Sequence, residues 1–168
     1  VIEAMDSVLP IFDKELRRPL ERHLKKSKIK VHLGVFAKGV EDQKDGKTKV
    51  NFIDKNEKDE SKMQSVIADK VLVTVGRKPN SECLEPTGVA LDERGFVKVN
   101  QRCETNMRGV YAIGDVTNLG EMLAHVASFQ GEMVAEIIAG KKRVYDPVAV
   151  PAIVFTEPEI VSVGLSPD

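Results

Sequence analysis

Asp115 is the residue of this chain best suited to binding a polar ligand. It follows the apolar run at residues 110–113 and is preceded directly by Gly114. A glycine lets a ligand approach the backbone, and a carboxylate at the end of a strand accepts hydrogen bonds from hydroxyl groups. A helical pattern begins shortly afterwards, and the start of a helix offers N–H groups with a partial positive charge. These features together indicate a site for a polar cofactor.

Glu3 is a second candidate for binding hydroxyl groups, because it follows the apolar pair at the start of the chain. In dinucleotide-binding βαβ units, the acid that ends the second strand accepts hydrogen bonds from the adenosine ribose. The glycine-rich turn that precedes such an acid by about twenty residues is not in this sequence. Judged from its own neighbourhood, Glu3 is better interpreted as a solvated strand end.

The composition is that of a globular protein with one or two domains. Of 168 residues, 42% are hydrophobic and 30% are charged, with 25 basic side chains against 26 acidic ones. This balance argues against a nucleic acid or an acidic membrane surface as partner, and no apolar run approaches the ~20 residues of a membrane-spanning helix. Cys83 and Cys103 match no metal-binding or vicinal redox spacing. They predict free thiols in a reducing compartment, the cytoplasm.

The first half of the chain alternates helical and strand-like patterns. Residues 13–27 form an amphipathic helix with leucines on one face, although Pro19 predicts a kink or a later start. Asp45-Gly46 predicts a hairpin turn, and the charged residues 54–65 predict a loop. Residues 68–75 are nearly continuous in β-branched side chains, which predicts a buried strand.

In the second half, residues 110–113 predict a strand and residues 123–139 a helix that ends at Gly140. Residues 88–99 predict a small β-segment with a turn at residues 93–95.

Three motifs resemble the pyridine nucleotide–disulfide oxidoreductase family, and within it the dihydrolipoamide dehydrogenases. Tyr111-Ala-Ile-Gly-Asp115 followed by Met122-Leu-Ala-His125 resembles the family's second flavin-binding segment. Val75-Gly-Arg-Lys-Pro-Asn80 resembles the strand and turn that close its NAD domain. The segment that begins at Pro151 and contains Phe155-Thr-Glu-Pro-Glu159 resembles the first strands of its dimerisation domain.

The resemblance implies an α/β fold that is part of a flavoprotein with two Rossmann-like dinucleotide-binding domains, one for FAD and one for NAD. Residues 1–80 correspond to the C-terminal part of the NAD-binding domain, and residues 81–147 to that of the FAD-binding domain. Residues 148–168 correspond to the start of an α+β dimerisation domain.

The resemblance also assigns the cofactor-binding residues. Five residues are expected to bind FAD: Asp115, Met122, Leu123, Ala124 and His125. Six are expected to bind NAD: Glu3, Ala37, Thr74, Val75, Gly76 and Arg77. Ala37 stands where the family usually has a valine against NAD, and Arg77 is equally well interpreted as an interdomain ion-pair partner. The Glu3 carboxylate repels a 2′-phosphate, which favours NAD over NADP.

The activity implied is reoxidation of a protein-bound dihydrolipoyl group by NAD, through an enzyme disulfide and FAD. The partners implied are a second subunit in a homodimer and the lipoyl domain of the acyltransferase (E2) of a 2-oxo acid dehydrogenase complex. The sequence has no Cys-x4-Cys pair, and the family's His–Glu acid–base pair is missing, so no catalytic residue is assigned here. No metal site is expected. We therefore interpret the chain as an internal fragment, inactive on its own.

Two alternatives stay open. One is another disulfide reductase of the family, such as a mercuric, glutathione or trypanothione reductase, or a soluble transhydrogenase. The other is a non-catalytic binding module with the flavoprotein fold. One departure from the family concerns Val126-Ala-Ser-Phe-Gln130, which replaces the more acidic helix start that is common among its members.

Overall fold

The computed structural model describes residues 1–165, which divide into two compact units. The first contains Val1–Thr74 together with the residues from Pro151 onward, and the second contains Val75–Val150. The sequence-based domain boundaries at residues 80 and 147 lie within six residues of these divisions but remain a prediction. Within residues 1–165, no helix has the length and apolar character needed to span a bilayer.

The first unit contains one α-helix and two small antiparallel sheets. The helix is α1 (Lys14–Lys26). The strands are β1 (Val35–Asp42), β2 (Thr48–Asp54), β3 (Gln64–Ala68), β4 (Ala152–Val154) and β5 (Ile160–Ser162). The larger sheet has the order β1–β2–β3, and the smaller sheet pairs β4 with β5.

The hairpin predicted around Asp45-Gly46 is confirmed. Gly46 donates its N–H to the carbonyl of Gln43 and has a φ of +79°. Because glycine adopts a positive φ without strain, the turn favours glycine at this position. β1 pairs with β2 from Val35 opposite Asp54 to Asp42 opposite Thr48, with a bulge between Ala37 and Gly39.

Helix α1 confirms the amphipathic helix predicted at residues 13–27, and because it runs through Pro19, the alternative of a later start was wrong. Leu20 is buried with Phe12 and Ile160, and Leu16 and Leu24 pack against the same cluster. A proline removes one helical hydrogen bond, and this apolar face provides the packing that offsets the loss.

The prediction of a buried strand at residues 68–75 was also wrong. Strand β3 ends at Ala68, and the residues that follow it lie in no strand. The exposed fractions are 86% for Leu72, 72% for Val73 and 93% for Val75. A buried strand needs neighbours on both edges, and no strand of residues 1–165 pairs with this segment.

The second unit is built around α2 (Ala124–Ile138), which confirms the predicted helix. Its buried face packs with Cys103 and Tyr145 in one apolar cluster. After the helix, Gly140 has a φ of +90°, its N–H bonds to the carbonyl of Ile137, and the next N–H bonds to Glu136. This is the Schellman pattern, so Gly140 ends the helix as predicted.

The strand predicted at residues 110–113 does not form as an extended element. Only Tyr111 pairs there, in a single antiparallel bridge with Glu104. The chain then turns into a short 3-10 helix, Gly114–Val116. Residues 88–99 contain the predicted turn, with one bridge between Leu91 and Val97.

Candidate cofactor site

The backbone turn at Gly114 presents Asp115 to solvent. Gly114 has a φ of +71°, and a Cβ added there would lie 3.1 Å from the Cβ of Ala127 on α2. Both the conformation and the close packing therefore require glycine at this position. The turn approaches the helix closely enough to bring Asp115 beside it.

The Asp115 carboxylate is half-exposed and has one ion-pair partner among the described residues. Its Oδ2 lies 3.5 Å from Nη1 of Arg77, whose side chain is 71% exposed. A carboxylate offers about four acceptor positions on its two oxygens, so one contact with Arg77 leaves capacity for other donors. The structure thus joins a residue predicted to bind NAD to one predicted to bind FAD.

Hydrogen bonds from three directions fix the loop that carries Asp115. The hydroxyl and the N–H of buried Thr117 both donate to the Gly114 carbonyl, at 3.0 Å each. Val97 donates its N–H to Val116 at 2.8 Å and accepts the N–H of Asn118 at 3.2 Å. These bonds hold both ends of the turn while the Asp115 side chain projects to solvent.

The third direction is from α2, where the fully buried Gln130 side chain spans the loop. Its Oε1 accepts the Gly114 N–H at 2.7 Å, and its Nε2 donates to the Leu119 carbonyl at 2.7 Å. The sequence interpretation missed this role. The available signal was an amide inside an apolar helical stripe, between Val126 and Met133.

The start of α2 supplies the positive end of a helix dipole near the loop. Leu123 is the N-cap, and its carbonyl accepts the N–H of Ala127, which is the first intrahelical bond. The first turn contains no acidic side chain. Ala124 and His125 are exposed, whereas Met122 and Leu123 are half-buried. The predicted FAD-binding residues therefore lie together in the second unit, at the start of a helix. No acidic side chain in the first turn of that helix offsets its dipole.

The residues predicted to bind NAD are divided between the two units. Glu3, Ala37 and Thr74 lie in the first unit, and Val75, Gly76 and Arg77 lie in the second. Their assignment therefore stays a prediction.

Within the first unit, Glu3 accepts the N–H of Met5 at 2.8 Å, so one carboxylate oxygen is paired with the backbone two residues further on. The N–H of Glu3 bonds to His32 and that of Val35 to Glu3, so the chain start pairs in parallel with residues 32–35. Ala37 is exposed at the β1 bulge, and Thr74 is exposed after β3.

The loop and helix start fit one class of ligand. A half-exposed carboxylate accepts hydroxyl donors, a glycine turn keeps the backbone close to the helix, and a helix dipole with no acidic side chain in its first turn stabilises negative charge. FAD has both a hydroxylated ribityl chain and a ring edge that becomes negative. Among residues 1–165, no group of three or more His, Cys, Asp or Glu side chains is arranged to bind a metal ion.

Comparison with known proteins identifies relatives of this chain. The family model described as pyridine nucleotide-disulphide oxidoreductase matches residues 1–131. The chain is 43% identical over 167 residues to the dihydrolipoyl dehydrogenase of Bacillus subtilis and 43% identical over 174 residues to that of Pseudomonas aeruginosa. These alignments cover 98% and 100% of the chain and 34% of each relative, so the chain spans about a third of their length.

Solved structures give the same result for the fold. LpdA from Mycobacterium tuberculosis superposes with a TM-score of 0.83 at 28% identity, covering 98% of this chain and 34% of LpdA. A copper complex of the flavoprotein disulfide reductase RclA from Escherichia coli superposes with a TM-score of 0.86 at 25% identity, covering 99% and 36%. The chain is therefore a member of the pyridine nucleotide–disulphide oxidoreductase family and has the α/β fold of its flavoprotein disulfide reductases.

Proposed function

We propose that this chain works as part of a flavoprotein of its relatives' length, a dihydrolipoyl dehydrogenase. The reaction is the oxidation of protein-bound dihydrolipoyl groups with NAD as the electron acceptor. The 43% identity to two dihydrolipoyl dehydrogenases supports this activity over those of the structural relatives at 25–28% identity. The observation that carries the proposal is the half-exposed Asp115 on a glycine turn packed against the start of α2.

The family uses FAD and NAD as cofactors. When bound, FAD passes two electrons from a reduced disulfide to the nicotinamide ring. In this chain, the Asp115 carboxylate would accept hydrogen bonds from the ribityl hydroxyls. Backbone groups of Leu123, Ala124 and His125, at the positive end of α2, would hold the flavin ring together with Met122. The helix dipole there would stabilise negative charge on the reduced ring.

The second set of residues serves NAD. Glu3 accepts hydrogen bonds from the adenosine ribose, and its charge disfavours a 2′-phosphate. Ala37 and Thr74–Arg77 contact the remainder of the dinucleotide. The exposed positions of Val75, Gly76 and Arg77 support this assignment, because a ligand can reach all three.

The rest of the machinery lies outside the 168 residues in this proposal. The sequence contains no Cys-x4-Cys pair to relay electrons, and the structure leaves Cys83 exposed and Cys103 buried as free thiols. We propose that the protein acts as a homodimer in the cytoplasm. Its partner is the lipoyl domain of the acyltransferase (E2) of a 2-oxo acid dehydrogenase complex.

The test compares D115N with E93Q, which removes an exposed charge elsewhere in the second unit. Flavin content and FAD affinity are measured on the full-length protein by fluorescence quenching, and NADH formation is followed with dihydrolipoamide. D115N is expected to weaken FAD binding by about tenfold or more, because hydroxyl donors lose a charged acceptor. E93Q is expected to bind FAD as the unsubstituted protein does.

Three outcomes contradict parts of the proposal. Absence of flavin from the unsubstituted protein overturns the cofactor assignment, and unchanged affinity in D115N overturns the role of Asp115. Turnover of mercuric ion, of glutathione disulfide or of trypanothione disulfide, with none of dihydrolipoamide, identifies another reductase of the family.

A further inference from the structure

Gln130 is a buried polar residue that the proposed function does not use. It is 0% exposed and lies on the apolar face of α2 with Val126, Met133 and Val134. Burying an amide among apolar side chains is costly unless its polar atoms are paired. Here both ends are paired, at 2.7 Å each, with backbone groups of one loop. The location and the bonding together suggest that the residue serves that loop.

The two bonds of Gln130 bracket the segment that carries Asp115. They run from Gly114, directly before Asp115, to Leu119, at the other end of the loop. The Thr117 and Val97 bonds fix the loop to itself and to the neighbouring segment. The Gln130 side chain links the loop to α2, whose first turn belongs to the proposed flavin site.

The chemistry of the side chain matches the two backbone groups it meets. Gly114 presents an N–H, which needs an acceptor, and Leu119 presents a carbonyl, which needs a donor. A primary amide provides both in one planar group. An ionised carboxylate of the same length accepts from Gly114 but leaves the Leu119 carbonyl without a donor. A thioether of the same length pairs with neither strongly.

We propose that Gln130 is a positioning residue for FAD: it fixes the Gly114–Leu119 loop to α2 so that Asp115 and the helix start bind the same flavin. This inference rests on the proposed function and deepens it. Gln130 touches no cofactor and acts through Asp115. Loss of its amide should therefore change flavin affinity only as far as Asp115 contributes to that affinity.

The experiment measures FAD affinity of the full-length protein with Q130E, Q130M and the control E132Q, which changes an exposed residue on the same helix. Affinities are measured from about pH 5.5 to about pH 8.5, and thermal midpoints of the flavin-free proteins are recorded in parallel. Other titratable groups near the site are common to the Q130 variants: Cys103, Asp115, Glu121, His125, Glu132 and Tyr145. Differences between the Q130E and unsubstituted profiles therefore report the new carboxyl.

Q130M is expected to weaken FAD binding by about tenfold at every pH, because two partly buried backbone groups lose their partners. Q130E is expected to bind FAD nearly normally at the acidic end, where the protonated carboxyl both donates and accepts. Its affinity should then fall by about tenfold as the carboxyl ionises with rising pH. E132Q should follow the unsubstituted protein throughout.

A double-mutant cycle tests whether Gln130 acts through Asp115. If it does, D115N/Q130M binds FAD no more weakly than D115N, whereas independent roles give multiplied losses. Independent losses, or a Q130E affinity that equals the unsubstituted value at every pH, overturn the inference while leaving the proposed function intact. A lowered thermal midpoint without a change in FAD affinity shows a purely structural role and also overturns it. Absence of flavin from the unsubstituted protein overturns both proposals.

Discussion

Nη1 of Arg77 lies 3.5 Å from Oδ2 of Asp115, so the turn after the exposed segment contacts the loop before α2. Both side chains are largely solvated, with exposed fractions of 71% and 50%. Solvent screening makes such pairs weak, and removing one partner changes stability by at most about 1 kcal/mol. The contact therefore affects ligand binding by Asp115 more than it affects the stability of the fold.

Replacing Arg77 should separate these two roles. We expect R77Q to change the free energy of unfolding by less than about 0.5 kcal/mol and FAD affinity by no more than about threefold, because Asp115 keeps its other acceptor positions. Urea unfolding and flavin titration measure both quantities. K78Q, which removes the more exposed Lys78–Glu82 pair, is the control. A loss as large as that of D115N would mean that Arg77 itself binds the flavin.

The glycine at the turn can be tested against one with the same conformation in open space. G114A places a methyl group 3.1 Å from the Cβ of Ala127 at a φ of +71°, whereas Gly109 has a φ of +78° and nothing within 4 Å. We expect G109A to cost about 1 kcal/mol of unfolding free energy from backbone strain alone. G114A should cost about 2–4 kcal/mol, since steric overlap adds to that strain. Equal costs in chemical denaturation would show that the loop moves away from α2 freely.

The buried hydroxyl of Tyr145 has no hydrogen-bond partner among residues 1–165. Burial, with the nearby Glu121 charge contributing, raises its pKa above the usual 10.0. Removing an unpaired buried hydroxyl relieves a desolvation cost, so Y145F should leave the free energy of unfolding unchanged or raise it by up to about 1 kcal/mol. Y111F, at a half-buried tyrosine of the same unit, provides the comparison. A loss of more than about 1 kcal/mol in Y145F alone would reveal a partner for the hydroxyl.

The two thiols should differ in how they link stability to pH. Burial raises the pKa of Cys103 above its ordinary value of 9.0, whereas Cys83 is exposed. The unfolded chain therefore releases the Cys103 proton at a lower pH than the folded chain. The contribution of the protonated Cys103 thiol to stability is complete below about pH 9, and it is lost as the pH rises through the pKa of Cys103 in the folded protein. Urea unfolding above about pH 9 should show a shallower decline for C103A than for C83A. Identical slopes would contradict this.

Local patterns predicted the elements whose determinants lie within one segment. Helix α2 follows from an uninterrupted apolar periodicity and from Gly140 at its end, and the hairpin follows from Asp45-Gly46 between alternating strands. Asp115 was predicted to bind a ligand because a glycine and a helix start lie beside it in the sequence, and that assignment stays a prediction. Each of these signals is contained within about one element of chain.

The features that local patterns missed depend on distant partners. Gln130 bonds to residues 16 and 11 positions away, and Arg77 meets Asp115 from another loop. The composition at residues 68–75 favours a strand, yet a strand forms only where a neighbour supplies its hydrogen bonds. Pro19 argued against an early helix start, but packing of the α1 leucines with Phe12 and Ile160 outweighed that local preference.

The segment after β3 has a further consequence for handling the protein. Leu72, Val73 and Val75 extend into water with exposed fractions of 86%, 72% and 93%, and the backbone beside them pairs with no strand of residues 1–165. When two molecules meet, the unpaired backbone N–H and C=O groups of these two exposed segments form hydrogen bonds with each other. The isolated 168-residue polypeptide should therefore aggregate during storage, at a rate that rises more steeply than in proportion to its concentration. Replacing Val73 with a charged residue should slow this aggregation.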